Sequence, residues 1–436
     1  VGYYRQAKAT TSFVAEESAG AFRALGASTA AAFRADIPAA EAELQTALQS
    51  FGAVNEVVNE RYGALVSLIR ILPVIGSEVE SRQQLLLAGH HLALGNTYLI
   101  KGIRETKDNA AMPATERIEL LRRHIQGAIP QYDEALLALE RVRDEAIPSE
   151  YQQTFAEFRL LFAAFIDDMK DVADLAKVAQ TIFGGEGRKR YLIVFQNNHE
   201  LRPSGGFIGS FARLDVERGK IVSLDVPGGG AYDLKGQLTE FVKPPLPLQL
   251  VNERWEFQDA NWWPDFSASA EKMMWFYEKA RGQTVDGVIA VNASVLPRVL
   301  KVLGPVASAE FGTLLDYESA LGAIQEKVET GYDREKNQPK EIIRKLFEEM
   351  LAALPAVGAT DLLGLLTEAE AAARQKEIQI YVSDASVQDE LRQFGWTGEI
   401  VPTNAAQDYL LIASANVQGQ KSDAKIEEKI RHEASV

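Results

Sequence analysis

The chain has 436 residues, of which 61 are acidic and 46 are basic, and its formal net charge is −15. This excess of negative charge disfavours nucleic acid and anionic membrane surfaces as partners. The absence of cysteine excludes disulfides and thiolate chemistry, and the five histidines show no spacing typical of a zinc site. No run of about 18 or more apolar residues occurs, so the sequence predicts no transmembrane helix.

Residues 1–183 show helical patterning, and we predict an all-helical bundle or coiled-coil-like domain there. One face combines aromatic and aliphatic side chains at helical spacing: Phe155, Phe158, Leu161, Phe162, Phe165 and Met169. We interpret this stripe as bundle core rather than as a ligand pocket. Because this half shows no catalytic combination of residues, we expect it to be a spacer or a docking surface for protein partners.

The segment Gly184-Gly185-Glu186-Gly187 ends the helical patterning and predicts a domain boundary. From residue 188 to residue 436 we predict a mixed α/β sheet domain, because strand and helix patterns alternate. The predicted strands include Tyr191–Phe195, Phe207–Val216, Ile221–Val226, Val285–Val291, Glu377–Val382 and Tyr409–Asn416. A weak strand pattern from Lys421 onward has no visible partner, so we expect the native protein to continue beyond Val436.

The candidate site begins in the polar segment 197–206, between the first two predicted strands. We predict a loop, because the segment is rich in Asn, Gly and Pro. Its candidate ligand-binding residues are Asn197, Asn198, Glu200, Arg202, Gly205 and Gly206. Arg202 would offer a forked donor to an anion, and the glycine backbone would approach a phosphate closely. The alternative is a structural hairpin loop in which Arg202 pairs only with Glu200.

Further candidates lie in three other segments: Asp233 after the third predicted strand, Asp259, Trp262 and Asp265 in a segment dense in aromatics and carboxylates, and Lys421 near the C-terminus. We select Asp233 with Arg202 as candidate catalytic residues, and Asp259 with Asp265 as Mg²⁺ ligands. Trp262 would stack on a sugar or an isoprenoid group, and Lys421 would bind ligand. Each also has a structural interpretation, for example Asp265 as a helix cap, Asp259 as a turn former and Trp262 as core.

The second half resembles a bacterial family known as a domain of unknown function. The resemblance rests on the motifs FQNNHELRPSGGFIGSF, DANWWPDFSASA, VDGVIAVNASVLPRVLKVLGPV and ANVQGQKSD, which together span about residues 188–423. That family is in turn similar to the LytR–CpsA–Psr phosphotransferases. Those enzymes transfer a glycopolymer from a polyprenyl-pyrophosphate carrier onto peptidoglycan outside the cell.

The resemblance implies a LytR–CpsA–Psr-like α/β domain, Mg²⁺-dependent glycopolymer transfer, and an extracytoplasmic place in the cell envelope with a membrane anchor upstream of Val1. One departure concerns the position after the third strand, where those enzymes have Pro-Arg-Asp and this chain has Pro227-Gly228-Gly229. One phosphate-binding arginine is therefore missing. Two classes of function remain: a glycopolymer phosphotransferase, and a non-catalytic envelope protein that binds polymer or assists assembly through its helical half.

Overall fold

The computed structural model describes residues 20, 21, 23–25, 27, 28, 31, 36–50 and 75–433, with gaps in the last range at 148, 150, 309–312, 331–337, 354–358, 405–409 and 418–420. The chain divides into two compact units, Val1–Gly185 and Glu186–Val436. In the described part of the first unit all regular secondary structure is helical, which confirms the predicted helical bundle. Among the described residues, we find no helix with the length and apolar character needed to cross a membrane.

The first unit is built from long helices that pack through small residues. They are α1 (37–50), α2 (Ile75–Asp108), α3 (Ala114–Glu140) and α4 (Gln152–Ile182). A side chain added at Gly95 of α2 would overlap the ring of Tyr132 in α3, so this glycine lets the two helices approach closely. Tyr132 is buried and meets Phe162 edge-on.

The aromatic stripe of α4 is only partly core. Phe162 is buried as expected, whereas Phe158 and Leu161 of the same stripe are exposed. The stripe is wider than the surface that α3 covers, because its residues spread over more than one face of the helix. The prediction that the whole stripe forms the bundle core is therefore wrong.

The second unit is organised around a mixed sheet. Its strands are β1 (Lys189–Arg202), β2 (Gly205–Glu217), β3 (Lys220–Asp225), β4 (Gly287–Asn292), β5 (Val306–Ser308), β6 (Thr313–Leu315) and β7 (Ile378–Val382). Five of them form one sheet in the order β3-β2-β1-β4-β7, in which β1 and β4 are parallel and the other neighbours antiparallel. Strands β5 and β6 pair separately. The predicted α+β class with a mixed sheet is confirmed.

Helices cover both faces of this sheet. They are α5 (Phe266–Arg281), α6 (Val295–Leu303), α7 (Ala320–Glu329), α8 (Glu341–Ala353), α9 (Ala359–Arg374) and α10 (Ala385–Gln393). Leu192 and Val194 of β1 belong to the core cluster that includes Met273 of α5. The alternating residues Ile193 and Phe195 belong to a second cluster that includes Phe347 of α8. Because both faces are covered, the Tyr191–Phe195 part of β1 is continuously apolar rather than alternating.

Two predicted boundaries are wrong. The polar segment 197–206 is not a loop: β1 continues through Arg202 and turns directly into β2, with Asn197 opposite Phe207. Shifts in the pairing register beside Gln196 and between Asn197 and Leu201 absorb the irregular polar residues. Residues 410–416, the described part of the predicted last strand, form no strand, and residues from Ser422 to Lys425 form a 3₁₀ turn.

Candidate functional site

A cavity of about 1170 Å³ lies within the second unit, between the sheet and helices α6 to α8. Ligand pockets for small molecules typically measure about 300–1,000 Å³, so this cavity accommodates a larger or longer ligand. The sheet contributes Ile193, Phe195, Ile289 and Val291 to its wall. The helices contribute Leu296, Val299, Leu321, Ile324, Val328, Ile343, Leu346, Phe347 and Met350. Most of the wall is therefore apolar.

Five ionisable side chains in the cavity lining interact with one another, and we call this group the polar end. It consists of Glu200, Tyr232, Glu329, Lys340 and Lys421. Lys421 forms an ion pair with Glu329. Lys340 interacts electrostatically with Lys421, Glu329 and Glu200, and Tyr232 interacts with Glu200. Two cationic side chains thus face the same space as two carboxylates.

Lys340 is held in place by backbone contacts just before α8. Its N–H donates to the carbonyl of Gly228 at 2.9 Å, and its stem lies so close to Gly230 that a Cβ there would be 2.8 Å from Lys340 Cγ. Among the described residues no carboxylate lies within ion-pair distance of Lys340 Nζ. Burial and, to a smaller extent, the neighbouring Lys421 together lower the pKa of Lys340 to about 8, against the opposing charges of Glu329 and Glu200. This lysine is the cation that an anionic group entering the cavity would neutralise.

Three lining residues carry buried polar atoms that have no hydrogen-bond partner among the described residues. These atoms are Oε1 and Nε2 of Gln196, Oγ of Ser210 and Oδ1 of Asn292. Gln196 is 1% exposed and lies opposite Asn292 in the parallel pair β1–β4. An unmade hydrogen bond of this kind costs about 1–3 kcal/mol. The cavity therefore offers hydrogen bonds to a polar group of a ligand.

Arg202 is not among the residues that line the cavity, and its guanidinium is engaged in contacts within the protein. Its Nη2 and Nε donate to Asp259 Oδ1 at 3.0 and 3.2 Å, and Nη2 also donates to Glu200 Oε1 at 3.3 Å. Its Nη1 donates to the carbonyls of Leu201 at 3.0 Å and Asn416 at 2.6 Å. All three guanidinium nitrogens are engaged, so the fork that we expected to bind an anion is occupied.

The carboxylates around Arg202 share one cation. Burial raises the pKa of Glu200, with a further contribution from Asp259, while Arg202 opposes both effects. Burial also raises the pKa of Asp259 against the opposing charge of Arg202. Two carboxyl groups beside a single guanidinium hold a proton more readily than free carboxyls do. Glu200 belongs to the cavity lining as well, and it links this cluster to the polar end.

The other candidate residues of segment 197–206 lie in different environments. Asn197 lines the cavity, and its Oδ1 accepts a hydrogen bond from the His199 N–H at 3.2 Å. Asn198 has a buried Oδ1 without a partner in the described part of the chain. A side chain on Gly206 would overlap the carbonyl of Asn197, and Gly205 has a φ of 141°. The two glycines thus permit a tight hairpin, and they do not form an open phosphate loop.

Three other predicted site residues lie outside the cavity lining. The Asp233 carboxylate accepts the Gly229 N–H at 3.0 Å. Asp265 caps α5: Oδ1 accepts two N–H groups of the first turn, and Oδ2 accepts the Ile400 N–H at 3.1 Å. Trp262 packs, partly buried, against the core on the α5 side of the sheet. The structure brings Glu200, Asn197 and Lys421 to the cavity but not these three.

The residues selected for Mg²⁺ do not fit a metal site. Asp259 Oδ1 is bound by Arg202, and both oxygens of Asp265 are bound by backbone N–H groups. In the described ranges no group of three or more His, Asp or Glu side chains is arranged to hold a metal ion. We therefore derive no chemistry through Mg²⁺.

Comparison with known proteins identifies the core of this unit. Residues 186–328 match the family described as Protein of unknown function (DUF4012). The match covers less than half of the chain, and over these residues it confirms the predicted resemblance to a domain-of-unknown-function family. Neither the curated proteins nor the solved structures contain a significant match to the chain.

The DUF4012 segment contains Gln196, Glu200 and Asn292, whereas Lys340 and Lys421 lie beyond it. Sequence reasoning missed Gln196, Asn292 and Lys340 as site residues. Gln196 and Asn292 follow apolar runs and form the last residue pair of the parallel pairing between β1 and β4, although β1 continues to Arg202. The end of a parallel pairing is a known position for ligands, so these two residues would have been a usable signal. Lys340 could not be found in this way, because nothing in the neighbouring sequence indicates that it is buried. Its burial depends on contacts with Gly228 and Gly230, which are more than 100 positions away in the sequence.

Proposed function

We propose that the second unit binds a long-chain amphiphile with an anionic head group, of the polyprenyl phosphate or pyrophosphate class, in the cavity described above. The observation that carries this proposal is the combination of an apolar wall with two lysines, Lys340 and Lys421, in one cavity of about 1170 Å³. An isoprenoid chain is entirely apolar, whereas a phosphate needs cations and hydrogen-bond donors. The cavity offers both kinds of surface.

The energetics favour this class of ligand over a small polar molecule. Burying apolar surface contributes about 0.8 kcal/mol for each CH₂ group, so a long chain gains affinity along the whole wall. A hydrogen bond to a charged group adds about 1.5–3 kcal/mol, which Lys340 would supply to the head group. The amide atoms of Gln196 and Asn292 would bond further polar atoms of the ligand. A compact anion alone would use only the polar end.

We propose binding or presentation of the lipid-linked glycopolymer rather than its transfer. Transfer requires a cationic fork or a metal ion to stabilise the charge that develops on phosphate. The Arg202 guanidinium already donates hydrogen bonds to Asp259 and to backbone carbonyls. The carboxylates expected to bind Mg²⁺ are also occupied, because Asp259 binds Arg202 and Asp265 accepts backbone N–H groups. The extracytoplasmic envelope location, the LytR–CpsA–Psr-like fold and the spacer or protein-docking role of the helical unit remain parts of this proposal that rest on the sequence motifs.

The test is a calorimetric titration of the full chain with farnesyl pyrophosphate and, separately, with inorganic pyrophosphate. We expect the farnesyl compound to bind at least about tenfold more tightly, because only it contacts the apolar wall.

Ile324→Trp, which fills the cavity, should abolish this preference. Lys340→Met should weaken binding of the farnesyl compound about tenfold, whereas Lys301→Met, at an exposed lysine of α6, should not. Equal affinity for both compounds would contradict the proposal.

A further inference from the structure

A loop in the second unit exposes three large apolar side chains within ten residues. Phe241, Leu246 and Leu250 are 69%, 78% and 86% exposed. Leu248, which lies between the last two, is 1% exposed and belongs to the core cluster that packs on α5. Scattered exposed apolar residues are ordinary on protein surfaces, but three in one short loop mark an interaction site.

The loop has a defined conformation. The Trp255 N–H donates to the carbonyl of Val242 at 2.8 Å, which joins the two ends of the loop. Within it the side-chain amide of Gln249 donates to the carbonyl of Pro244 at 2.7 Å. Prolines at 244, 245 and 247 restrict the backbone further. The exposed side chains are thus presented from a fixed frame, which lowers the entropy lost when they bind a surface.

The charge of this loop differs from that of the chain. Residues 241–252 contain Lys243 and no acidic residue, although the chain has 61 acidic residues and a net charge of −15. The acid just before these residues, Glu240, is paired with Lys279 at 3.2 Å. Glu253 and Arg254 follow them, so the loop closed by Val242 and Trp255 has two basic residues and one acidic residue. Apolar side chains next to a lysine, in a loop with more basic than acidic residues, suit the boundary between lipid head groups and acyl chains. There a lysine stem lies in the apolar region and its ammonium reaches the head groups.

We propose that the loop 241–252 inserts into the head-group region of a lipid bilayer, with Phe241, Leu246 and Leu250 entering the acyl boundary and Lys243 contacting the head groups. This surface is separate from the ligand cavity, because none of these residues lines the cavity. The proposal concerns this chain's own contact with a lipid surface and holds whether or not the cavity binds an amphiphile.

The first experiment measures insertion directly. The chain has no cysteine, so Leu246→Cys creates a single thiol that takes an environment-sensitive fluorophore. On adding vesicles of phosphatidylethanolamine and phosphatidylglycerol, we expect a blue shift and quenching by brominated acyl chains. Leu314→Cys, at a leucine that is 60% exposed elsewhere in the same unit, should show neither. A probe at 246 that remains in a water-like environment, or an equal response at 314, overturns the proposal.

The second experiment measures the strength of binding by co-sedimentation with the same vesicles. The variant F241S/L246S/L250S should lower the vesicle partition coefficient at least about tenfold, because three apolar side chains lose their burial. The control L314S/L366S/I426S changes three comparably exposed apolar residues outside the loop and should not alter it. Lys243→Glu should lower it about fivefold or more for phosphatidylglycerol vesicles and less for phosphatidylcholine vesicles. Unchanged partitioning of the loop variant, as expected if the loop instead docks on a protein, would falsify the idea.

Discussion

Asp259 Oδ1 accepts two hydrogen bonds from the Arg202 guanidinium, from Nη2 at 3.0 Å and from Nε at 3.2 Å, and both side chains are buried. The same guanidinium binds the Asn416 carbonyl, so it ties the end of β1 to the 3₁₀ turn before α5 and to the C-terminal part of the chain. Asn416 in turn donates its N–H to the Leu201 carbonyl at 2.9 Å. Arg202 thus holds three segments together and contributes to stability rather than to an open anion site.

Arg202→Ala is therefore expected to destabilise the second unit by about 3–5 kcal/mol, since it leaves the buried Asp259 without its counter-charge. Urea denaturation followed by tryptophan fluorescence measures this, because all five tryptophans lie in the second unit: Trp255, Trp262, Trp263, Trp275 and Trp396. Arg202→Lys should recover only part of the loss, because a lysine cannot reproduce the fork.

The matched control removes both charges. The double variant R202M/D259L should be clearly more stable than Arg202→Ala, because the deeply buried carboxylate of Asp259 is removed together with its counter-charge. If Arg202→Ala unfolded at the same urea concentration as the wild-type chain, the structural role of this pair would be refuted and an anion-binding role would regain support.

The sequence predicted those features that depend on local patterns. Helical periodicity in the first half and apolar runs such as Tyr191–Phe195 specify element types through the spacing of neighbouring residues, and the structure has these elements. The segment 197–206 was misassigned, because Asn, Gly and Pro are common both in loops and in an irregular hairpin with register shifts. A local composition does not distinguish the two cases.

The partners of the site residues were beyond sequence reasoning. Arg202 meets an aspartate 57 residues away and a carbonyl 214 residues away, and no local pattern encodes such distances. Asp265 could be assigned as a helix cap from its position before α5, and the structure shows that role. Lys340 became a candidate only once its burial and its neighbours were visible, because the same lysine on an exposed helix end would carry no function.

The hairpin turn between β1 and β2 makes a second prediction. A side chain at Gly206 would overlap the Asn197 carbonyl, so Gly206→Ala should cost about 2 kcal/mol or more of unfolding free energy. Gly322→Ala in α7 is the control, since nothing lies within 4 Å of its new Cβ, and it should stabilise the chain by up to about 1 kcal/mol. Urea denaturation should therefore show a lower free energy of unfolding for Gly206→Ala and a higher one for Gly322→Ala. A neutral Gly206→Ala would show that the hairpin relaxes freely.

The ion pair between Glu329 and Lys421 makes a third prediction. Glu329 competes with an anionic ligand for Lys421, so Glu329→Gln should raise the affinity for farnesyl pyrophosphate about two- to fivefold. The gain is small because both side chains are partly exposed and solvent screens the pair. Glu326→Gln, at an exposed glutamate on the same helix, should leave affinity unchanged. Weaker binding by Glu329→Gln would mean that Glu329 itself contacts the ligand.

Lys340 makes the last prediction, which concerns pH. Burial lowers its pKa to about 8, so its charge is lost as pH rises through that value. We expect the affinity for farnesyl pyrophosphate to fall between about pH 7 and pH 9, and we expect this fall to disappear in Lys340→Met. Lys340→Arg stays charged and should bind with little change over the same range. A fall of equal size in Lys340→Met would assign the titration to another group.

The lowered pKa of Lys340 also determines how the free energy of unfolding changes with pH. Between about pH 8 and pH 10.5 the unfolded chain retains a proton on Lys340 that the folded chain has released, so the free energy of unfolding rises with pH. At pH 7 the buried charge costs the folded state up to about 3 kcal/mol. Lys340→Met should therefore be more stable than the wild-type chain at pH 7, and the difference should vanish near pH 10.5. Urea denaturation at pH 7, 9 and 10.5 measures this difference in the free energy of unfolding. If Lys340→Met were less stable than the wild-type chain at pH 7, the contacts of Lys340 would stabilise the fold more than the burial of its charge destabilises it.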